Sequence, residues 1–250
     1  MTTKNGTVIY RVENEIATIT MNRPEVKNAI NVAMHEDLQE AFLAAKDDPS
    51  VKVIILQGID GAFSSGADLK SIPIHDFQSF DHGDYLADTY NKLINIIASI
   101  DKPTIANING VAFGAGLSIA LACDFRWASH DAKFAISFLK IGLVPDAGAS
   151  YYLPRIVGLQ KAIEFALGEP LTAEEALRYG LINNIGDHND FATELTKVPT
   201  KAFGLMKRNM YQSYDRSLTE VLESEVDAQR KAGKTKEHLA AVMAFVQKAK

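Results

Sequence analysis

Hydrophobic and polar positions alternate at the start of the chain. Val8-Ile9-Tyr10-Arg11-Val12 and Ile16-Ala17-Thr18-Ile19-Thr20 read as two β-runs, with Asn14-Glu15 as a tight turn between them. Arg23-Pro24 breaks that pattern. Over residues 33–46 the period lengthens to that of a helix, which puts Met34, Leu38, Ala41, Phe42 and Ala45 on one face. Residues 51–57 are almost continuously apolar, as a strand covered on both faces of a mostly parallel sheet would be. Residues 58–66 read as a Gly- and Ser-rich loop, and residues 85–100 as one helix. Pro103 opens a third buried strand at 104–108, a small apolar run fills 110–122, and 125–128 is a further strand. Strand, crossover helix and strand recur, so the fold class is α/β with βαβ-type units.

Beyond Phe134 the pattern changes, and helical segments dominate from Leu159 onward. Thr172-Ala173-Glu174-Glu175 and Ser217-Leu218-Thr219-Glu220 match the capping-box signature at helix starts. Three helices are predicted over 203–214, 218–231 and 236–248.

Length and composition narrow the class. The chain has 250 residues, 47% of them hydrophobic, which fits one large α/β unit with a helical part. A net charge of −5 argues against a protein that grips nucleic-acid backbones. The scatter of cations over 230–236 reads as a solvated helix end. The single cysteine, Cys123, lies in an apolar run, where it reads as a small hydrophobe in a reducing compartment. The N-terminal residues lack an apolar targeting core, and no run approaches the roughly 18 apolar residues of a membrane helix, so a cytoplasmic protein is expected.

Two stretches could carry chemistry. Gly61-Ala62-Phe63-Ser64-Ser65-Gly66-Ala67-Asp68-Leu69 and Asn109-Gly110-Val111-Ala112-Phe113-Gly114-Ala115-Gly116-Leu117 each place small residues where a strand meets a helix. The first N–H groups of a helix have no partner within it, and small side chains let a ligand oxygen approach them. Two such sites converging on one point make an oxyanion hole. Neither stretch carries a nucleotide-binding fingerprint. Asp68 also suits the N-cap of a short helix.

These stretches, with Asn22-Arg23-Pro24, Lys102-Pro103, Ala122-Cys123-Asp124 and Leu153-Pro154-Arg155, resemble the crotonase (enoyl-CoA hydratase/isomerase) superfamily over almost the whole chain. Within it the chain is most similar to enoyl-CoA isomerases of the ring-1,2-epoxyphenylacetyl-CoA isomerase type. The resemblance implies a spiral of ββα turns over residues 1–195 and a C-terminal helical trimerisation region over 196–250. It implies oxyanion-hole N–H groups on Ala67 and Ala115. Contacts to coenzyme A map onto Val26, Lys27 and Ala29, and onto Ser65, Ala67, Asp68, Leu69 and Lys70. Gly116 and Phe138 complete the implied substrate site, and Phe245 and Lys248 correspond to a C-terminal pair that often reaches coenzyme A from a neighbouring subunit. The implied substrate is an acyl-CoA thioester, so coenzyme A enters with it and no separate cofactor or metal is expected. The implied assembly is a homotrimer or homohexamer, with no nucleic-acid or membrane partner.

The two glutamates that hydratases of this family use are replaced by Ser118 and Phe138. A phenylalanine can neither activate water nor supply a proton. A different carboxylate, Asp146, stands in Leu143-Val144-Pro145-Asp146-Ala147-Gly148, a context that also makes good turn and N-cap chemistry. Double-bond-shifting members of the family have an aspartate there, so the resemblance makes Asp146 the acid/base of an isomerase. The alternatives are a hydratase with atypical residues, a dehalogenase with Asp146 as nucleophile and a base from His75 or His82, or a non-catalytic relative that binds acyl-CoA or RNA. Residues 72–88 are expected to line the acyl pocket, and Tyr151 and Tyr152 either reach it or pack.

Overall fold

The expected hairpin forms in the computed structural model, which describes residues 3–71 and 80–248. β1 (Val8–Glu13) and β2 (Ile16–Met21) pair antiparallel, Val8 opposite Met21. Asn14 and Glu15 take φ of 50° and 64°. A two-residue turn with both φ positive matches the right-handed twist of the strands it joins. α1 (Val32–Asp47) follows, its first turn capped by Asn31, whose Oδ1 accepts the Met34 N–H. The five expected residues on its apolar face are all buried, and so are His35 and Asp37.

The chain then winds by repetition. β3 (Val53–Gly58) is followed by the short β4 (Ala62–Ser64), β5 (Thr104–Ile108) by β6 (Val111–Phe113), and β7 (Phe125–Ala128) by β8 (Lys133–Ala135). Short strands β9 (Leu171–Thr172) and β10 (Asn184–Ile185) complete two sheets. The larger has the order β1-β2-β3-β5-β7-β10 and the smaller β4-β6-β8-β9. Each turn of the chain gives one strand to each sheet, which is the ββα spiral implied by the resemblance. All pairs are parallel except the β1–β2 hairpin and β8–β9.

Helices link the turns. α2 (His82–Asp88) and α3 (Tyr90–Ala98) precede β5, and α4 (Ala115–Ala122) lies between β6 and β7. Every residue of α4 is buried, as its apolar circumference requires. Three sequence expectations need correction. Residues 58–66 are not one loop, because β4 pairs there with β6. Residues 85–100 are two helices, broken at Thr89 (φ −119°, ψ −83°), since Asp81 caps α2 separately and Thr89 Oγ1 donates back to the Tyr85 carbonyl. The helical part begins before Leu159, with α5 (Ala149–Val157), followed by α6 (Leu159–Ala166), α7 (Ala173–Arg178) and α8 (Asn189–Thr196). The Thr172–Glu175 capping box forms at α7 as expected.

Several motifs prove to be braces. Lys102 donates from Nζ to the carbonyls of Ala45 (2.7 Å) and Asp48 (2.6 Å), satisfying the open end of α1. Asp124 accepts from the Thr104 N–H and Oγ1 and pairs at 2.8 Å with Lys207 on α9 (Thr200–Gln212). That ion pair, with buried Phe203 and Leu205, seats α9 against the core. Cys123 is buried, and burial pushes its thiol up to about 12, so it acts as an inert apolar group. α10 (Leu218–Ala232), with the expected Ser217–Glu220 capping box, and α11 (Lys236–Lys248) carry no fully buried residue among those described: Leu222, Val226, Leu239 and Val242 are exposed. No described helix is long and apolar enough to cross a membrane.

Candidate active site

The two small-residue stretches end side by side. β4 and β6 run parallel with Ser64 opposite Ala112. Ala67 and Ala115 each follow that pair by three residues, so both lie beyond the same end of the two strands. Contact there is close. A Cβ on Gly66 would lie 2.9 Å from the Phe113 carbonyl oxygen and 3.6 Å from the Ala115 nitrogen, at a φ of +96° that favours glycine. A Cβ on Gly116 would lie 2.6 Å from that of Ser64.

The same packing frees two N–H groups. The Ile30 N–H donates to the Gly66 carbonyl (2.8 Å) and the Asp68 N–H to the Ile30 carbonyl (2.9 Å). This bridge uses the residues on either side of Ala67 and leaves its own N–H out. Ala115 opens α4, where no carbonyl one turn back is available. Among the described residues neither the Ala67 nor the Ala115 N–H meets an acceptor. Both residues line one cavity of about 240 Å³.

The implied coenzyme A contacts come together beside it. Pro24–Val26 form a 3-10 turn, and Lys27 and Asn28 take left-handed φ of 51° and 55°. The Lys27 carbonyl accepts the Ser65 N–H and the Val26 carbonyl accepts Ser65 Oγ, so this turn is tied to the Ser65–Asp68 segment. Arg23 joins them from beneath, donating to the Ala29 carbonyl (2.6 Å) and to Asp68 Oδ2 (2.9 Å). Asp68 is therefore half of an ion pair as well as a cap, for its Oδ1 accepts the Lys70 N–H. Lys27, Leu69 and Lys70 are exposed at the rim, and Leu69 lines the cavity itself.

Asp146 lines the cavity too, along with Phe138, which is 7% exposed, and Leu143. Its turn is held by its own carbonyl, which accepts the Ala149 N–H. The carboxylate caps no helix: α5 starts at Ala149, its N-cap position is Gly148 with no side-chain cap, and Asp146 Oδ1 is buried with no hydrogen-bond partner. Burial among apolar neighbours raises its pKa to about 6. Ser118 is fully buried, donates to the Gly114 carbonyl one turn back, and does not reach the cavity. Tyr151 and Tyr152 are also absent from its lining and face a neighbouring cavity. Of the 72–88 stretch, His82, Tyr85 and Leu86 line this cavity, while residues 72–79, His75 among them, lie outside the described residues.

The geometry is that of two free N–H donors and one shielded carboxylate around an apolar chamber. A sequence profile of the family described as "Enoyl-CoA hydratase/isomerase" matches residues 11–250. The chain belongs to this family. It is 34% identical over 250 residues to the 1,2-epoxyphenylacetyl-CoA isomerase of Escherichia coli K12, covering 96% of this chain and 95% of that one. It is 35% identical over 250 residues to a Rhodobacter capsulatus protein named "Probable enoyl-CoA hydratase", covering 97% and 95%. A crystal structure of an enoyl-CoA hydratase/isomerase from Cupriavidus metallidurans superposes with a TM-score of 0.91 at 30% identity, covering 99% of this chain and 95% of that one.

Membership in the enoyl-CoA hydratase/isomerase family spans both sheets and the cavity. It does not draw the C-terminal pair into the cavity of the same chain: Phe245 is 77% exposed on α11, and Lys248 is the last residue of that helix. Two residues at the chamber escaped the sequence reading. Tyr90 lines it, and His35 packs behind Tyr90 with ring centroids 4.1 Å apart. Their signal was present but bland, since each falls on the buried face of an amphipathic helix.

Proposed function

We propose that the protein is an enoyl-CoA isomerase in which Asp146 moves a proton along the acyl chain of an enoyl-CoA thioester. The observation that carries this reading is that Asp146 is the only carboxylate among the described residues lining the cavity, and no partner holds its Oδ1. The thioester carbonyl oxygen receives the Ala67 and Ala115 N–H groups. Ionised Asp146 takes a proton from the α-carbon of a β,γ-enoyl-CoA. The C–H electrons form the Cα–carbonyl double bond, and the carbonyl oxygen becomes an enolate oxygen. Asp146, now protonated, returns the proton to the γ-carbon, the enolate collapses, and the α,β-enoyl thioester leaves. Atoms and charge balance without another reactant.

The donors and the base account for the rate. One oxyanion donor contributes roughly 3 kcal/mol at the transition state, and a placed general base about 10²–10⁴-fold. A pKa near 6 leaves Asp146 ionised at neutral pH yet able to hold a proton in transit. Phe138 contributes by keeping water from that side of the chamber. In this reading Val26, Lys27, Ala29, Ser65, Asp68 and Lys70 hold coenzyme A, which is part of the substrate. The exposed apolar faces of α10 and α11 are covered by other copies in a homotrimer or homohexamer, where Phe245 and Lys248 of one copy approach the coenzyme A of the next.

The test is incubation of the pure protein with 3-enoyl-CoA and 2-enoyl-CoA in deuterated water, followed by mass spectrometry. The expected result is isomerisation with deuterium entering the acyl chain, lost in Asp146→Asn. Fast hydration of crotonyl-CoA without isomerisation establishes the atypical hydratase instead. Affinity for acyl-CoA with no exchange establishes a non-catalytic binder, and salt-sensitive retention on RNA would extend that role to nucleic acid.

A further inference from the structure

The chamber holds more unpartnered polar groups than proton transfer to a hydrocarbon chain uses. Tyr90 is 2% exposed and lines the cavity, and its hydroxyl is buried without a hydrogen-bond partner. Asp146 Oδ1, on the same cavity, is in the same condition. His35 stands edge-on to the Tyr90 ring, 1% exposed, with both ring nitrogens unpartnered. Native interiors leave few such groups, and a cluster on a ligand cavity marks where a ligand atom completes the bonding.

The chemistry of the two cavity-lining groups limits what that atom is. Burial raises the Tyr90 pKa, and Tyr85, Asp146 and Asp68, in that order, add to it. Tyr90 and Asp146 line the same cavity, yet they make no direct hydrogen bond. An oxygen between them would accept from Tyr90. It would also donate to the Asp146 carboxylate or accept from the protonated acid. Leu86, Phe138, Ile141, Leu143 and Val144 make much of the described wall apolar; His82 and Tyr85 also line it, but of its side chains only Tyr90 and Asp146 carry buried polar atoms with no partner.

We propose that Tyr90 is a specificity-determining residue, selecting acyl groups that carry an oxygen substituent beyond the carbon Asp146 deprotonates and donating a hydrogen bond to that oxygen. This rests on the reading of the cavity as the acyl site with Asp146 as base. A site built to bond a substrate oxygen rejects the analogue that lacks it, because its own polar group is then left dry and unpaired.

The experiment compares 3-hexenoyl-CoA with 5-hydroxy-3-hexenoyl-CoA and 6-hydroxy-3-hexenoyl-CoA, on wild type and Tyr90→Phe, by deuterium exchange into the acyl chain. The readout is the ratio of kcat/KM for the better hydroxylated substrate to that for the plain one. The expected ratio is about 10–100 in wild type, falling to about 1 in Tyr90→Phe, chiefly through KM. A wild-type ratio near 1, or one that Tyr90→Phe leaves unchanged, overturns the proposal; the second outcome means that only water bonds Tyr90. Thermal melting of Tyr90→Phe checks its fold. Failure of the isomerase reading is separate: it appears as wild type exchanging none of the substrates. The same ratio is then read from dissociation constants of the saturated hexanoyl-CoA and 5-hydroxyhexanoyl-CoA by calorimetry, with the same two outcomes deciding.

Discussion

At the residue scale the chemistry depends on how Asp146 is solvated. Its pKa near 6 has one cause, burial among apolar side chains, with no neighbouring charge called upon. A base must be ionised in the free enzyme, so kcat/KM for exchange should rise with pH along a limb centred near 6 and level off above 7. Phe138 is one of the side chains that keep the site dry. Phe138→Ser should let water reach the carboxylate and move the limb toward the ordinary carboxylate value, at some cost in rate. A pH profile of deuterium exchange for the two proteins checks this, and superimposable limbs would show that Phe138 does not shield Asp146. Asp146→Asn should lose about 10²–10⁴-fold of the exchange rate while still binding acyl-CoA, because the two N–H donors are untouched.

At the element scale, function depends on how closely β4 and α4 approach. Gly116→Ala tests this. Alanine favours a helix by about 1 kcal/mol over glycine, yet its Cβ would sit 2.6 Å from that of fully buried Ser64. Overpacking should win, lowering the urea-unfolding free energy by about 1–2 kcal/mol net. Exchange should fall further than unfolding explains, since Ala115 is displaced relative to Ala67. A variant of unchanged stability would mean that the interface yields freely. The same elements show what the sequence made legible. β1, β2, β5 and the face of α1 follow from periodicity, because each carries a full strand or four turns of pattern. β4 and β6 are only three residues long, too short for any period, and their pairing is set by glycines whose role appears only when Gly110 meets the Gly61 carbonyl. Ala67, Ala115 and Asp146 were legible through family resemblance, which records the spacing of whole motifs. Tyr90 and His35 were not, because a buried residue on an amphipathic face looks the same whether it packs or binds. Tyr151 and Tyr152, adjacent to the Asp146 turn in sequence, point to another cavity because α5 turns them away.

At the scale of the whole molecule, two buried titratable groups oppose each other in the balance of stability. His35 is held neutral by burial, its pKa lowered to about 4. The unfolded chain takes up that proton near pH 6.5 and the folded chain does not, so His35 removes stability as pH falls from 6.5 to 4. The shift corresponds to about 3 kcal/mol at roughly 1.4 kcal/mol per unit. Asp146 has the opposite sign. Its folded form binds a proton near pH 6, its unfolded form only near 3.8, so its burial costs stability above pH 6 and the cost disappears as pH falls through that window. Between about pH 6 and 4 each state holds one of the two protons, and the pair contributes almost no slope. Asp146→Asn should expose what is hidden. At pH 7.5 the variant should be more stable than wild type, since a buried carboxylate has become a neutral amide. As pH falls to 4 that advantage should vanish, leaving the variant with the acid lability of His35 alone. Adding His35→Gln should flatten the curve again. Urea titrations at half-unit pH steps measure this, and parallel curves for wild type and Asp146→Asn would show that Asp146 is solvated like a surface carboxylate. Because Asp146 is both the proposed base and the destabilising charge, the pH above which the variant's advantage stops growing should coincide with the midpoint of the acid limb of exchange, both being set by the folded-state pKa near 6.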